Sequence, residues 1–250
     1  EVNIPDKLVL NNKKFNNLIN EIKFAISTDE SQPALTGALM VIEGKSLTMV
    51  ATNTYRLAYS QTDINDNNFQ LQDDIKKIII PGNTLKELSN LMDKEENIEL
   101  LINSNYISFN FNNIKVISRL IEGQFPNYKQ VIPKEHNTRI KVDKKSLQKA
   151  TKRVSLIARI DSNVISLSTE NNKMIINSVN AEDGHAHEEI EINIEGPEQN
   201  INIDAGYLLD VLKITDNDEI IIDLIGPLNP FTVKKSDDKY TYLIMPIRSE

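Results

Sequence analysis

The sequence predicts an α+β fold made of four copies of one module, a strand followed by a helix and three further strands. Two observations predict it: a short segment rich in β-branched residues runs into an amphipathic helix at four places, and three strand-like runs follow each helix. Strand-rich modules with one helix each favour sheets with the helices gathered on one side. Because one short helix buries little apolar surface, the modules are expected to pair into two domains, 1–132 and 133–250.

The elements of the four modules follow from the same patterns. The leading strands and their helices are predicted at 7–10 and 11–27, 77–80 and 84–92, 139–142 and 143–158, and 202–203 and 204–213. The following strands are predicted at 35–42, 47–51 and 55–60, at 98–102, 106–111 and 114–120, at 164–168, 173–179 and 187–194, and at 219–224, 231–234 and 240–245. Asp143 and Asp204 are good N-cap residues, and Asn83 is expected to cap the second helix similarly. Prolines and polar residues at 126–137 break the pattern and mark the domain boundary.

Composition limits the class of protein. The 250 residues include no cysteine, which excludes disulfides and thiolate metal sites, and no apolar run approaches the roughly 20 residues of a membrane-spanning helix. The formal net charge of -8 argues against a general nucleic-acid binder, although a basic stripe can lie within an acidic molecule. The chain begins with Glu1 rather than an initiator methionine, and it is therefore interpreted as a fragment.

The third predicted helix separates apolar from basic residues. Leu147, Ala150 and Val154 form its apolar face. The other side carries a basic cluster of Lys145, Lys149, Lys152 and Arg153. Lysines on a helix are usually only solvated, but such a face could also contact a phosphate backbone. Leu156 lies among these lysines, and beside Ile157 at the helix end it could form a subunit contact.

Four segments carry the motifs of a known family. Residues 50–58 read V-A-T-N-T-Y-R-L-A, residues 120–133 contain L-I-E-G-Q-F-P-N-Y and then V-I-P, and residues 242–248 read Y-L-I-M-P-I-R. Residues 204–212, D-A-G-Y-L-L-D-V-L, fit the family's last helix. The motifs occur in the order and at the distances that fit the family, and the resemblance extends over nearly the whole chain. It resembles the middle and C-terminal domains of the β subunit of bacterial DNA polymerase III, the β sliding clamp.

The resemblance implies a non-catalytic, cytoplasmic protein of DNA replication. Members of the family have three similar domains per subunit, with helices on the inner face and sheets outside, and two subunits close head to tail around duplex DNA. Contact with DNA is then non-specific and topological. The first domain is missing from the 250 residues, so this fragment is expected to be a monomer that cannot encircle DNA by itself. No cofactor, metal or membrane is implied.

The resemblance also implies two binding surfaces and a subunit interface. A hydrophobic cleft between the two domains would receive short peptides of replicative and other DNA polymerases, the clamp loader and repair proteins. The candidate cleft residues are Leu35, Thr52, Thr54, Tyr55, Arg56, Leu57, Pro126, Val131, Tyr207, Leu228, Pro230, Leu243, Ile244, Met245, Pro246, Ile247 and Arg248. The candidate DNA-channel residues are Lys13, Lys14, Lys23, Lys86, Lys145, Lys149 and Lys152. The candidate subunit-interface residues are Leu156 and Ile157.

The chain departs from the family's motifs at three places. Thr54 and Tyr55 stand where the family often has Gly-His, which makes the rim of the expected cleft bulkier. Gln130 stands where a basic residue is common, and residues 249–250 add a charge where many members end on an apolar residue. These differences bear on which peptides are preferred.

The residues alone leave other functions open. Without the family, segments 50–58 and 243–247 would be two buried strands that bind no ligand. His185 and His187 share one strand face near Glu182 and Asp183, but no third metal ligand is indicated. A peptide-binding module without a DNA role is the second interpretation. A metal-dependent hydrolase is a weaker one, because the P-loop, G-x-S-x-G and H-E-x-x-H motifs are absent.

Overall fold

The structure, a computed structural model, describes residues 6–65, 69–92, 96–160, 162–180, 184–235 and 239–248. The chain divides into two units, Glu1–Pro126 and Asn127–Glu250. The sequence places the boundary after residue 132, whereas in the structure residues 127–132, with a buried Tyr128, lie in the second unit. Within the described residues, no helix has both the length and the apolar character needed to cross a membrane.

The first unit contains two of the predicted modules. The first comprises β1 (Asp6–Asn11), α1 (Asn12–Ile22), β2 (Gly37–Glu43), β3 (Ser46–Thr52) and β4 (Arg56–Asp63). A two-residue strand, β5 (Phe69–Gln70), then precedes the second module. That module comprises β6 (Ile75–Pro81), α2 (Gly82–Leu91), β7 (Asn97–Ile102), β8 (Tyr106–Phe111) and β9 (Ile114–Arg119).

The second unit repeats this order. Its first module comprises β10 (Thr138–Asp143), α3 (Lys144–Ala158), β11 (Val164–Glu170), β12 (Lys173–Asn180) and β13 (Gly184–Glu195). Its second comprises β14 (Asn200–Asp204), α4 (Ala205–Ile214), β15 (Glu219–Leu224), β16 (Phe231–Lys234) and β17 (Tyr240–Ile244). Every strand pair described within the units is antiparallel, and the fold is α+β as predicted.

The two modules of each unit exchange their leading strands. β1 pairs with β7 of the other module, with Leu8 opposite Leu100, and β6 pairs with β2, with Ile79 opposite Leu39. In the second unit β10 pairs with β15 and β14 with β11 in the same way. The resulting strand orders are β5-β1-β7-β8-β9 and β6-β2-β3-β4 in the first unit, and β14-β11-β12-β13-β10-β15-β16-β17 in the second. Each module therefore completes the other's sheet, which explains why modules pair into domains.

The helices of each unit lie side by side and pack on strands. α1 contacts α2, β3 and β4, and α3 contacts α4 and the strands β11 to β13. Phe15 of α1 is fully buried and its ring stacks on that of Phe109 in β8, with centroids 6.1 Å apart. Burying the apolar stripe of α1 is what holds the helix, since a helix of 11 residues is marginal in isolation.

Three sequence expectations need correction. Asn83 does not cap α2: the N-cap position is Pro81, without a side-chain cap hydrogen bond, and Asn83 lies within the helix. The helix predicted at 11–27 ends at Ile22 and continues only as a short 3-10 turn at Lys23–Ala25. β5 was missed because two residues are too short for a periodic pattern. Asp143 and Asp204 do cap their helices, each accepting backbone hydrogen bonds.

Candidate functional site

The β3–β4 turn carries four of the candidate cleft residues and is held by its own side chains. Asn53 Oδ1 accepts hydrogen bonds from the backbone N–H groups of Tyr55 (3.2 Å) and Arg56 (3.0 Å). Thr52 Oγ1 donates to the carbonyl of Arg56 (2.7 Å) and accepts from the N–H of Thr54 (3.2 Å). Thr54 has φ = 75°, a left-handed conformation that is unusual for a β-branched residue. The turn therefore places Tyr55 on the surface at a fixed position.

The large candidate residues of the first unit, in this turn and outside it, differ in exposure. Tyr55 is 63% exposed, and Pro126 is exposed as well. Leu57 on β4 and Leu35, at the end of the 3-10 turn Pro33–Leu35, are each only 3% exposed. These two leucines belong to the core, so among these four residues Tyr55 and Pro126 are the ones available to a ligand.

The C-terminal segment of the second unit follows β17 and leaves the sheet. Leu243 and Ile244 are buried within the strand, whereas Met245 and Ile247 are exposed. The N–H of Ile247 donates to the carbonyl of Asn202 on β14 (2.7 Å), which fixes the segment against the edge of the sheet. Pro246 is half-buried and Arg248 is exposed. Residues 249–250 lie outside the described residues.

The remaining candidates of the second unit lie on loops and on α4. Val131 and Leu228 are exposed, and Pro230 and Tyr207 are half-buried. Tyr207 lies in the first turn of α4, where its N–H donates to the capping carboxylate of Asp204 (3.3 Å). Leu228 and Ile247 line one pocket of about 390 Å³ together with polar side chains of residues 198–202. A leucine and an isoleucine in a polar-walled pocket suit an apolar side chain of a ligand with a hydrogen-bonding backbone.

Exposed large apolar side chains are concentrated among the candidate cleft residues. Twelve such side chains occur in the described part of the chain, and five of them belong to the seventeen candidates: Tyr55, Val131, Leu228, Met245 and Ile247. Four of the five lie in the second unit, where Leu228 and Ile247 line the same pocket. Single exposed apolar residues are common, but exposed apolar side chains that line one pocket are typical of an interaction site.

The basic residues of α3 divide into two groups. Lys145, Lys149 and Lys152 are exposed, and their i, i+4, i+7 spacing places them along one face of the helix. Lys145 lies 3.7 Å from Asp218 in a solvent-exposed ion pair, which is weak. Arg153, by contrast, donates to Glu188 of β13 through two nitrogens. The three lysines of this helix are therefore available to a polyanion and the arginine is not.

In the first unit the candidate lysines are less uniform. Lys13, Lys14 and Lys86 are exposed. Lys23 is half-buried and its Nζ donates to Ser89 Oγ of α2 (2.9 Å), so it ties the 3-10 turn to α2. Burial first, and then the charge of Lys86, lower the pKa of Lys23. Lys23 therefore has a structural role besides its charge.

The candidate interface residues lie near the end of α3. Leu156 is 62% exposed, Ile157 is half-buried, and Ile160 just beyond the helix is 57% exposed. Sequence reasoning missed Ile160, which is four residues after Leu156 but follows the end of the periodic helix pattern. Leu156 and Ile160 are among the most exposed large apolar residues described, which fits a surface that is covered by another subunit.

Of the two histidines of β13, His187 is held by neighbouring side chains. His187 Nδ1 lies 2.8 Å from Asn177 Oδ1 and Nε2 lies 3.2 Å from Glu189. In the described ranges, no group of three or more histidine, aspartate or glutamate side chains could hold a metal ion. Glu182 and Asp183, which the sequence places near His185, lie outside the described residues.

Two further features were not found from the sequence. A pocket of about 850 Å³ in the first unit lies between the end of α1 and the start of α2 and is lined by residues including Phe24, Pro33 and Pro81. In the second unit, the buried Asp223 of β15 accepts hydrogen bonds from Arg139 and Lys234 on the neighbouring strands. Both depend on tertiary neighbours and leave no local pattern.

Comparison with known proteins identifies the relatives of the chain. Residues 9–127 match the family described as "DNA polymerase III beta subunit, central domain", and residues 129–248 match the one described as "DNA polymerase III beta subunit, C-terminal domain". A beta sliding clamp of Staphylococcus epidermidis is 36% identical over 253 residues. That alignment covers 100% of this chain and 66% of the relative, so the chain spans less than two thirds of the length of this relative.

Solved structures give the same result. The crystal structure of a DNA polymerase sliding clamp from Bacillus subtilis has a TM-score of 0.91 and 32% identity, with 98% of this chain and 64% of that chain covered. A sliding clamp from Pseudomonas aeruginosa bound to griselimycin has a TM-score of 0.91 and 25% identity, with 97% and 65% covered. These similarities extend over both units.

Proposed function

Because the chain belongs to the DNA polymerase III beta subunit family, of which it carries the central and C-terminal domains, we propose that it is part of a sliding clamp. Such a protein is a non-catalytic processivity factor: it encircles duplex DNA in the cytoplasm and keeps replication proteins on it. A closed ring needs only weak phosphate contacts, because it cannot dissociate without opening.

Docking of partner proteins is the part of this function that the side chains support best. The exposure of Tyr55, Val131, Leu228, Met245 and Ile247, together with the pocket that Leu228 and Ile247 line, is the observation that carries the proposal. Aromatic and methionine side chains are common where short peptides dock, since one offers a rigid apolar face and the other adapts to several ligands. The partners proposed are DNA polymerases, the clamp loader and repair proteins, through short linear peptides.

The DNA contact is proposed for the exposed lysines. Lys13, Lys14, Lys86, Lys149 and Lys152 carry exposed ammonium groups on three helices, and Lys145 is held only by a weak surface pair. Lys23 is the least suited of the seven candidates, because its ammonium is bound to Ser89. Contacts of this kind would be non-specific and sensitive to salt.

The subunit contact is proposed for Leu156 and Ile157, with Ile160 added from the structure. In a full ring this patch would meet a second subunit head to tail. A polypeptide of these 250 residues alone is expected to be a monomer, and a stable dimer at micromolar concentration in light scattering would contradict that expectation.

A peptide titration tests the docking function. The probe is a fluorescent peptide that contains Gln and a C-terminal Leu-Phe pair. We expect saturable binding to the 250-residue protein, and a loss of about tenfold or more in affinity for Leu228→Asp, since the variant replaces an apolar contact of the ligand with a charge that must be desolvated. Ile117→Asp is the matched control, because Ile117 has nearly the same exposure, 62% against 60%, but lies outside the candidate set. Equal effects of the two variants would overturn the docking site.

A second measurement separates the clamp from its nearest alternative, a peptide-binding module without a DNA role. The whole subunit that carries these residues should be retained on circular DNA and released when that DNA is linearised. Retention that is equally weak on both forms would favour the module. The exposed lysine faces on separate helices support the clamp, because peptide docking alone has no use for them.

A further inference from the structure

We propose that Arg56 is a positioning residue for peptide docking: its guanidinium binds Phe24, in the 3-10 turn that follows α1, and thereby holds the β3–β4 turn that presents Tyr55. This inference rests on the proposed docking function and deepens it. The family resemblance placed Arg56 among the residues that line the cleft, whereas the geometry directs its side chain toward the protein's own helix end.

The side chain of Arg56 makes two contacts with one residue. A guanidinium nitrogen donates a short hydrogen bond to the carbonyl oxygen of Phe24, and the guanidinium carbon lies 5.5 Å from the centroid of the Phe24 ring. The carbonyls at the end of a helix have no partner within it, and a cation there is favourable. The cation also interacts with the face of the ring. Together these contacts anchor β4 to the turn that follows α1.

The backbone of Arg56 closes the turn that the side chain anchors. Its N–H donates to Asn53 Oδ1 (3.0 Å), and its carbonyl accepts from Thr52 Oγ1 (2.7 Å) and from the N–H of Asn53 (3.3 Å). One residue therefore connects the turn to α1. If the guanidinium is released, the turn keeps its own hydrogen bonds but loses this anchor to the segment that follows α1.

The turn needs this support because it contains an unfavourable conformation. The backbone conformation of Thr54, with φ = 75°, costs free energy. A turn that is not held in place would relax away from this conformation. Tyr55 follows directly and is 63% exposed, so its ring has few contacts of its own to fix it. An exposed aromatic ring binds a ligand better when it is held in place beforehand. Arg56 supplies this pre-organisation.

Direct contact between Arg56 and an acidic peptide would make different predictions. Arg56 is half-buried and its guanidinium already has a hydrogen-bond acceptor and a ring beside it. A direct ion pair would depend strongly on ionic strength and not at all on Phe24. A positioning role depends on Phe24, which is not among the candidate cleft residues.

The test compares four proteins: wild type, Arg56→Met, Phe24→Leu and the double variant. Arg56→Met removes the donors and the charge but keeps an unbranched apolar chain, and Phe24→Leu removes the ring but keeps the carbonyl. Affinity for the fluorescent Leu-Phe peptide should fall about tenfold for Arg56→Met and about threefold for Phe24→Leu, since the ring contributes only part of the anchor. The double variant should be no weaker than Arg56→Met, since both changes break one linkage.

Two further measurements identify the cause. In the free protein, amide hydrogen exchange at Tyr55 and Arg56 should accelerate in both single variants, because their N–H bonds to Asn53 open more often. The affinity losses should be the same at low and high salt.

Arg153→Met is the matched control: it removes an arginine of equal charge from its hydrogen bonds to Glu188 on β13, and it should change neither readout. Arg56→Lys, which keeps a charge and a donor, should lose less affinity than Arg56→Met.

The outcomes are separable. If the wild-type protein fails to bind the peptide, the proposed docking function is overturned and the positioning role falls with it. If wild type binds, but Phe24→Leu leaves both affinity and exchange unchanged while Arg56→Met weakens binding in a salt-dependent way, Arg56 contacts the peptide directly. That result would overturn the positioning role alone.

Discussion

The guanidinium of Arg153 on α3 donates two parallel hydrogen bonds, of 2.5 and 2.7 Å, to the carboxylate of Glu188 on β13. The hydrogen bonds raise the pKa of Arg153 and lower that of Glu188, so both groups stay charged as a pair. Lys149 and Lys152 on the same helix have exposed side chains. Arg153 therefore links the helix to the sheet, whereas Lys149 and Lys152 face solvent.

Charge removal on α3 should separate these two groups. Lys149→Ala and Lys152→Ala are each expected to weaken the association of short duplex DNA and to reduce the slope of log affinity against log salt by about 0.9 for each phosphate that is no longer neutralised. Arg153→Ala should leave that slope unchanged. Fluorescence anisotropy of labelled duplex at low ionic strength gives the slope. A slope that changes as much for Arg153→Ala as for the lysines would contradict the division.

The strain at Thr54 predicts a stabilising substitution. Thr54→Gly should raise the free energy of unfolding by about 1 kcal/mol, because glycine adopts φ = 75° without the steric cost that threonine has there, and this gain exceeds glycine's own loss of chain entropy. Asn112, in the β8–β9 turn with φ = 51°, is the control: asparagine tolerates this region, so Asn112→Gly should change stability by less than about 0.5 kcal/mol. Urea denaturation of the three proteins measures the difference.

Asp223 should make stability depend on pH. Its carboxylate accepts two hydrogen bonds from Arg139 (2.7 and 2.8 Å) and one from Lys234 (3.0 Å). Burial by itself would raise the pKa of Asp223, but these hydrogen bonds and charges outweigh burial and hold the pKa below its ordinary value. The carboxylate therefore contributes stability that is fully present above the unfolded pKa of about 3.9 and is lost as pH falls through the lower folded value.

The variant Asp223→Asn measures this contribution. At pH 7 it should lower the free energy of unfolding by about 2–3 kcal/mol, because Arg139 and Lys234 keep their charges without the carboxylate and are themselves only partly exposed. Below about pH 4 the difference between variant and wild type should narrow, since Asp223 of the unfolded wild-type chain is then increasingly protonated while the folded carboxylate is still charged. A difference that stays constant from pH 7 to pH 3 would contradict the assignment.

Helix capping distinguishes Asp143 from Asn83. Asp143 Oδ1 accepts a hydrogen bond from the N–H of Ser146 (2.7 Å), and Asp143→Ala should cost about 1 kcal/mol of stability. That hydrogen bond also lowers the pKa of Asp143, so the cap should weaken as the pH falls below about 4. Asn83 makes no cap, and Asn83→Ala should change stability by less than about 0.5 kcal/mol. Thermal unfolding of both variants checks the pair.

Much of the fold could be predicted from local sequence patterns. The four strand–helix–three-strand modules and the caps at Asp143 and Asp204 follow from periodicity and residue preference, and the structure confirms them. The exchange of leading strands could not be predicted, because it depends on which strand edge is free once both modules are formed. The expected cap at Asn83 was wrong because residues that favour N-caps also occur inside helices, and α2 already begins at Gly82.

The candidate site stays a prediction, and the structure adds the exposure of its residues. The resemblance names Tyr55, Leu228 and Met245, which the structure shows to be exposed, and also Leu35 and Leu57, which it shows to be buried. A motif cannot separate residues that bind a ligand from residues that hold the binding strand. The contact between Arg56 and Phe24 joins positions 32 residues apart and has no sequence signal.

The docking site can be located residue by residue. Backbone amide chemical shifts of the 250-residue protein, followed during titration with the Leu-Phe peptide, test its position most directly. We predict saturable shifts at Tyr55, Leu228 and residues 245–248, and none at Tyr106 and Ile117, which are exposed apolar residues elsewhere in the first unit. No shifts, or shifts centred on Tyr106 and Ile117, would contradict the proposal that this chain docks partners as a sliding clamp does.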